Sequence, residues 1–223
     1  MKKSEKLKKL VLLAMFAAFA YVAVLVLRFP VVAFPPLKYE PKDVIIVLCG
    51  FMMGPIEAIV VSVVVSFIEM ITASETGIIG CIMNIVSTVS FVCVASLIYK
   101  YKRKPLGAVI GLVTGVLFST AVMLFWNYMI IPLYSVGTTR EAVASILLPV
   151  LLPFNLAKNT LNAALTLLIY KPLVRALRRA KLLPGGGISE NGKKNNVIVT
   201  FILVGVVAII ACVLVFIKLA GII

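Results

Sequence analysis

Leu10-Val11-Leu12-Leu13-Ala14-Met15-Phe16-Ala17-Ala18-Phe19-Ala20-Tyr21-Val22-Ala23-Val24-Leu25-Val26-Leu27 is an unbroken apolar run, entered through Lys8-Lys9 and left through Arg28. A helix needs about 20 apolar residues to cross the hydrocarbon core of a bilayer, and with its flanks this run has them. A secretory signal peptide shares the basic start, but its apolar centre is shorter, and here further apolar runs follow at once. The stretch therefore reads as the first of several membrane-crossing helices.

Composition agrees along the whole chain. Of 223 residues, 62% are hydrophobic and only 13% are charged, against about 45–50% and about 25% in a soluble domain. Mean hydropathy is +1.16. So few charges cannot clothe a water-soluble body of this size, and the solvent for most of the surface is lipid. The expected fold class is an all-α polytopic membrane protein, with no room for a separate soluble domain. The net charge of +14 would suggest nucleic acid in a soluble protein. Here the basic residues cluster at the ends of apolar runs, where they set topology, and no nucleic-acid partner is expected.

Working outward, Phe29 to Pro41 carries four prolines (Pro30, Pro35, Pro36, Pro41) that forbid a continuous helix. It reads as an extended, unusually apolar external loop. A short helix, about Asp43 to Met53, ends at Gly54-Pro55. Longer helices are expected over Ile56–Thr72, Ile78–Tyr99 and Leu106–Tyr128. A loop through Pro132 and Gly137 leads to Arg140. A helical approach segment, Glu141–Leu151, then enters a sixth span at Leu152–Leu173. Pro184-Gly185-Gly186-Gly187 opens a flexible linker, and Val197–Ile217 is a last apolar run. The expected organisation is a six-helix body over residues 1–181, a linker over 182–196 and an extra C-terminal transmembrane helix over 197–217.

Most of the basic residues fall in three places: before the first helix, between the fourth and fifth (Lys100, Lys102, Arg103, Lys104), and after the sixth (Lys171 to Lys194). With six spans these lie on one side, which the positive-inside rule makes the cytosol. Arg28, Lys38, Lys42 and Arg140 then face out.

A polar side chain inside a membrane is costly without a partner or a task. Asn155, Lys158, Asn159 and Asn162 recur at helical spacing on one broad face. They make a ligand site, or else Lys158 pairs with Glu69 or Glu75 as interhelical glue. Trp126-Asn127-Tyr128 is either an interfacial belt or a polar contact for a heterocycle edge. Phe34, Leu37, Lys38 and Tyr39 form either a lid on a dry pocket or a tight corner. Gly80, Met83 and Asn84, with Gly77, let a flat ligand or another helix approach. Ala14 and Ala18 are a small-xxx-small pair suited to a close helix partner. Cys49, Cys81, Cys93 and Cys212 lie inside apolar runs without a C-x-x-C pair, and histidine is absent. Neither a metal site nor a redox motif is indicated. No phosphate-binding loop or Ser-His arrangement occurs, so the chain is not expected to be an enzyme.

The ordered set Leu37-Lys38-Tyr39-Glu40-Pro41, Gly77-Ile78-Ile79-Gly80-Cys81-Ile82-Met83-Asn84, Asn127-Tyr128 and Pro153-Phe154-Asn155-Leu156-Ala157-Lys158 resembles the riboflavin-specific substrate-binding (S) components of energy-coupling factor (ECF) vitamin transporters, over about residues 5–180. The resemblance implies a six-helix S-component bundle in the plasma membrane, capture of riboflavin from outside, and partnership with a T component and two ATPases. It places binding roles on Asn127, Asn155 and Lys158, with the first loop closing over the ligand. It places the T-component contact on Ala14 and Ala18. Riboflavin would be cargo, and no resident cofactor is implied. The apolar run after Lys181 is not part of that pattern. An S component for another vitamin, a non-catalytic membrane scaffold and a membrane-embedded enzyme are the competing readings.

Overall fold

A computed structural model describes residues 3–32, 37–73, 77–135, 138–179 and 195–221. Eight α-helices appear among them: α1 Lys3–Leu27, α2 Lys42–Met53, α3 Pro55–Thr72, α4 Gly77–Tyr101, α5 Pro105–Tyr134, α6 Arg140–Ile146, α7 Leu152–Arg179 and α8 Asn195–Leu219. Among the described residues, five apolar stretches are long enough to cross a membrane: Glu5–Leu27, Pro55–Thr72, Gly77–Tyr101, Leu106–Leu133 and Arg140–Tyr170. The fold is all-α and polytopic, as composition requires.

The short second helix is the centre of the bundle. α2 has 12 residues, about 18 Å at ~1.5 Å per residue, too short to cross a core of roughly 30 Å alone. Nine of its residues are buried, from Lys42 to Phe51. A helix that is apolar and buried on all sides belongs inside a protein core. It packs on α1, α3, α4 and α7, and Ile46, Val47 and Cys49 are fully buried in the main core with Phe16, Val65, Phe91 and Leu112. Gly54, at φ 125°, makes the turn into α3 in a backbone region that side chains resist. Pro55 then occupies the first helical position, where its missing N–H costs nothing.

α4 and α5 lie against each other through glycine. An added Cβ at Gly111 would come within 2.6 Å of the Ala95 carbonyl oxygen, and one at Gly115 within 2.9 Å of that of Phe91. Small residues one turn apart let two backbones touch where lipid offers no hydrophobic drive.

Three details differ from, or sharpen, the expectations. The first loop is a two-stranded antiparallel hairpin, β1 Phe29–Val32 and β2 Leu37–Tyr39, with Phe29 opposite Tyr39 and an irregularity between Pro30 and Val32. Pairing satisfies backbone groups that an apolar loop could not give to water. The expected lid residue Phe34 and the acid Glu75 lie outside the described residues, as do Gly137 and most of the 182–196 linker. The loop expected through Pro132 is helix instead: α5 runs on to Tyr134 with Pro132 inside it. Proline removes one donor, a loss tolerated in membrane helices whose neighbours cover the freed groups. The added turns bury Ile131 with Val143 of α6 and Leu151. Finally, the approach segment joins α7 through a π-helical turn, Leu147–Leu151. Pro149, lacking an N–H, cannot donate to a regular α ladder there.

Candidate functional site

Two polar networks meet where β2 hands over to α2. In the first, Arg28 at the end of α1 bridges Glu40 at 3.0 Å and Glu69 of α3 at 3.1 Å. Lys42 pairs with Glu40 at 2.7 Å and with Glu69. Asn84 of α4 donates to Glu69 at 3.1 Å. Lys42 and Glu69 are each 1% exposed. Charges this deep persist only when paired and hydrogen-bonded. Glu40 lies between β2 and α2, outside the spanning helices. Burial pushes its carboxyl up, but Lys42, Lys158 and Arg28 outweigh that and hold it at about 2.

The second network centres on Asp43, which is 0% exposed. It accepts from the Thr88 hydroxyl of α4 at 2.7 Å and from the Asn162 amide of α7 at 3.3 Å. Lys158 Nζ stands 4.0 Å from Oδ2, the same oxygen that accepts from Asn162. The Tyr39 hydroxyl donates to Asn162 Oδ1 at 2.8 Å, and burial raises that phenol's pKa. The Lys42-Asp43 dipeptide joins the two networks. Arg28, Lys42 and Lys158 face Glu40, Asp43 and Glu69, so the described cluster is balanced in charge.

Amides line the adjoining seam between α5 and α7. These helices run antiparallel. Ile131 packs with Leu151 at one level, and Asn159 donates to Thr120 at 3.4 Å further along. Asn127 and Asn155 lie between those contacts, each one helical turn from the Ile131–Leu151 level. Both are buried, at 2% and 3% exposure. Each turns its NH2 back to the carbonyl four residues earlier, Met123 and Leu151, at 2.8 Å. A carboxamide has a second N–H and two acceptor lone pairs beyond that bond. Two buried atoms on these helices lack any protein partner, Asn159 Oδ1 and Trp126 Nε1. Unmatched buried polar atoms are rare and call for a ligand, water or ion.

The expected residues therefore divide. Tyr39, Lys158 and Asn162 share one network, and Asn127 and Asn155 share the neighbouring seam. Leu37 packs both on the cluster of Ile131, Val143 and Leu151 at one end of that seam, which Tyr128 also flanks, and on the cluster around Tyr39. Asn84 joins the first network. Gly80 and Met83, partly buried on α4, are not linked to the amide seam by any polar contact. Ala14 and Ala18 are both exposed on the outer face of α1, opposite the core-facing Phe16 and Ala20. The pairing of Lys158 with Glu69 is corrected: Glu69 is taken by Arg28 and Lys42, and Lys158 faces Asp43. Arg28 and Lys42, expected as outward topology charges, are part of the buried network, as are Glu69, weighed before only as a partner of Lys158, and Glu40, Asp43 and Thr88, to which sequence reasoning gave no role. The available signal was Glu69, an acid inside an apolar helix, which requires buried cations nearby.

The sequence model described as "ECF transporter, substrate-specific component" matches residues 8–170. The chain is 29% identical over 178 residues to "Riboflavin transporter RibU" of Staphylococcus aureus (strain TCH60), covering 77% of this chain and 93% of that one. It is 27% identical over 189 residues to "Riboflavin transporter FmnP" of Bacillus subtilis (strain 168), covering 79% and 99%. A solved structure titled "Structure and mechanism of the S component of a bacterial ECF transporter" aligns with a TM-score of 0.66 at 29% identity, over 78% of this chain and 99% of that chain. Such components are transport binding proteins rather than enzymes, and they work with T-component and ATPase partners. A multi-pass membrane chain with buried amides, matched by that model over most of its length, belongs to the family of substrate-specific S components of ECF transporters.

Proposed function

We propose that the chain captures riboflavin from the outer side and passes it inward with a T component and two ATPases. The observation that carries this reading is the charge-balanced buried cluster beside a seam of buried amides. Every cation in it already faces a carboxylate, so the site suits a neutral ligand with hydrogen-bonding edges. Riboflavin is neutral and flat, with an apolar ring system, a polar pyrimidine edge and a hydroxylated chain. Asn127, Asn155 and Asn159 would meet polar edges, Leu37, Tyr39 and Tyr128 would cover apolar surface, and Lys158 would contribute one ammonium. Gly80, Met83 and Asn84 would lie along the α4 side. The naming of two relatives as riboflavin transporters supports the same ligand.

In this reading Ala14 and Ala18 meet the T component, because small side chains on an open helix face allow close approach. The N-terminus is cytosolic by the distribution of Lys and Arg. Residues 1–181 form the capture body, 182–196 a linker and 197–217 an accessory helix.

The test is an absorbance spectrum of the washed, detergent-purified protein, followed by titration with riboflavin. About one flavin per chain, lost in Asn155→Ala with Lys158→Ala, is the expected result. A colourless protein that fails to quench added riboflavin would refute the assignment and leave another vitamin or a scaffold role.

A further inference from the structure

α8 lies beyond the matched family segment, which ends at residue 170, yet it reaches the site. Gly205 packs on Leu168 of α7: a Cβ there would lie 3.6 Å from a Leu168 methyl carbon. At the other end Phe216 meets Phe154 of α7, ring centroids 6.0 Å apart. The two helices therefore run antiparallel, and the end of α8 arrives at the hairpin. Cys212 and Phe216, one turn apart and each 5% exposed, face inward. Val207, Ile210 and Leu214 on the other side are more than half exposed, as befits a lipid-facing surface.

Phe216 touches three elements at once. Its ring lies 5.7 Å from that of Tyr39, 6.3 Å from that of Phe29 and next to Phe154. Tyr39 is the hairpin residue bonded to Asn162, which in turn bonds Asp43. Phe154 precedes Asn155 on α7. One side chain of the accessory helix thus packs behind both the hairpin and the α7 wall.

We infer that α8 is an in-chain clamp on the hairpin, in which Phe216, backed by Cys212, holds Tyr39 on Asn162 and so slows departure of the bound substrate. Phe216 is a positioning residue: it acts through Tyr39 and Phe154. Among the described residues β1 and β2 pair only with each other, and an isolated hairpin is marginal, so its side-chain packing and the Tyr39–Asn162 bond are what hold it. Offset and tilted ring contacts add to the apolar area they bury. Removing one ring that serves three contacts therefore loosens the hairpin more than it loosens the helix bundle.

The retention half of this inference rests on the riboflavin reading, and the clamp half does not. The experiment uses the full chain in detergent, as wild type, Phe216→Ala, Phe216→Leu and the milder Cys212→Ala. Amide exchange at Val31, Val32, Lys38 and Tyr39 is read without ligand, and riboflavin dissociation is read by recovery of flavin fluorescence. Phe216→Ala is expected to speed hairpin exchange and flavin departure about five- to tenfold, with association changed less than twofold. Cys212→Ala moves both the same way by about twofold, and Phe216→Leu restores most of the loss. Faster exchange in a family of variants none of which binds riboflavin, wild type included, supports the clamp and refutes the flavin assignment. Unchanged hairpin exchange overturns the clamp. So does unchanged dissociation in a chain that binds riboflavin.

Discussion

Replacing Asp43 by asparagine tests the site at its most constrained point. The side chain is 0% exposed and keeps nearly the same shape, so the change removes charge and little volume. At 4.0 Å from Lys158, the lost attraction is about 4 kcal/mol at an effective dielectric constant of ~20. The new NH2 meets the Asn162 amide, which now donates to that position while its oxygen is held by Tyr39. One donor loses its acceptor, at about 1–3 kcal/mol. Side-chain exposure of Lys158, at 9%, and local rearrangement offset part of the sum. The expected net loss is about 3–5 kcal/mol, the usual cost of breaking a buried pair from one side. For a chain of this size that lowers the thermal midpoint by roughly 6–20 °C. Trp126 is the single tryptophan, so its fluorescence in detergent follows unfolding without a label. The paired variant Asp43→Asn with Lys158→Met removes the stranded cation and should regain about 2 kcal/mol relative to additivity. A shift below about 2 °C for Asp43→Asn, or strict additivity in the double variant, would show that the Asp43–Lys158 geometry carries no energy.

Gly111→Val drives a side chain into the Ala95 carbonyl and should destabilise by about 1–3 kcal/mol, whereas Thr114→Val on the exposed face should change the midpoint little; equal effects would contradict the α4–α5 contact. Glu40 is held at about 2, below its ordinary value of 4.5, so its stabilising contribution is complete above pH 4.5 and disappears as pH falls through about 2. The midpoint difference between wild type and Glu40→Gln should therefore stay constant from pH 8 to pH 5 and shrink below 4.5; a difference that already fades at pH 6 would refute the ion cluster around it. Because each cation of the site already faces a carboxylate, the phosphate ester of riboflavin should bind at least tenfold more weakly than riboflavin in a quench titration, since phosphate recognition calls for uncommitted donors; equal or tighter binding would refute charge balance as the selector.

Local sequence determined what local physics controls. Uninterrupted apolar runs such as Leu10–Leu27 leave a helix in lipid as the only backbone that satisfies its own hydrogen bonds. Gly54-Pro55 marked the turn between α2 and α3. The spacing of Asn155, Lys158, Asn159 and Asn162 placed all four on one face before any neighbour was known. Tertiary structure alone decided what that face meets. Lys158 is opposite Asp43 rather than Glu69, and Lys42 is inside, because α2 is drawn into the middle of the bundle and carries its first two residues with it; Arg28, at the end of α1, turns to Glu40 and Glu69 there. Pro132 is helical because Ile131 gains a buried place against Val143 and Leu151. A helix repeat is written in neighbouring residues. Ion partners at separations such as Lys158 and Asp43 depend on which helix ends converge, and that is settled only when the whole apolar surface is packed.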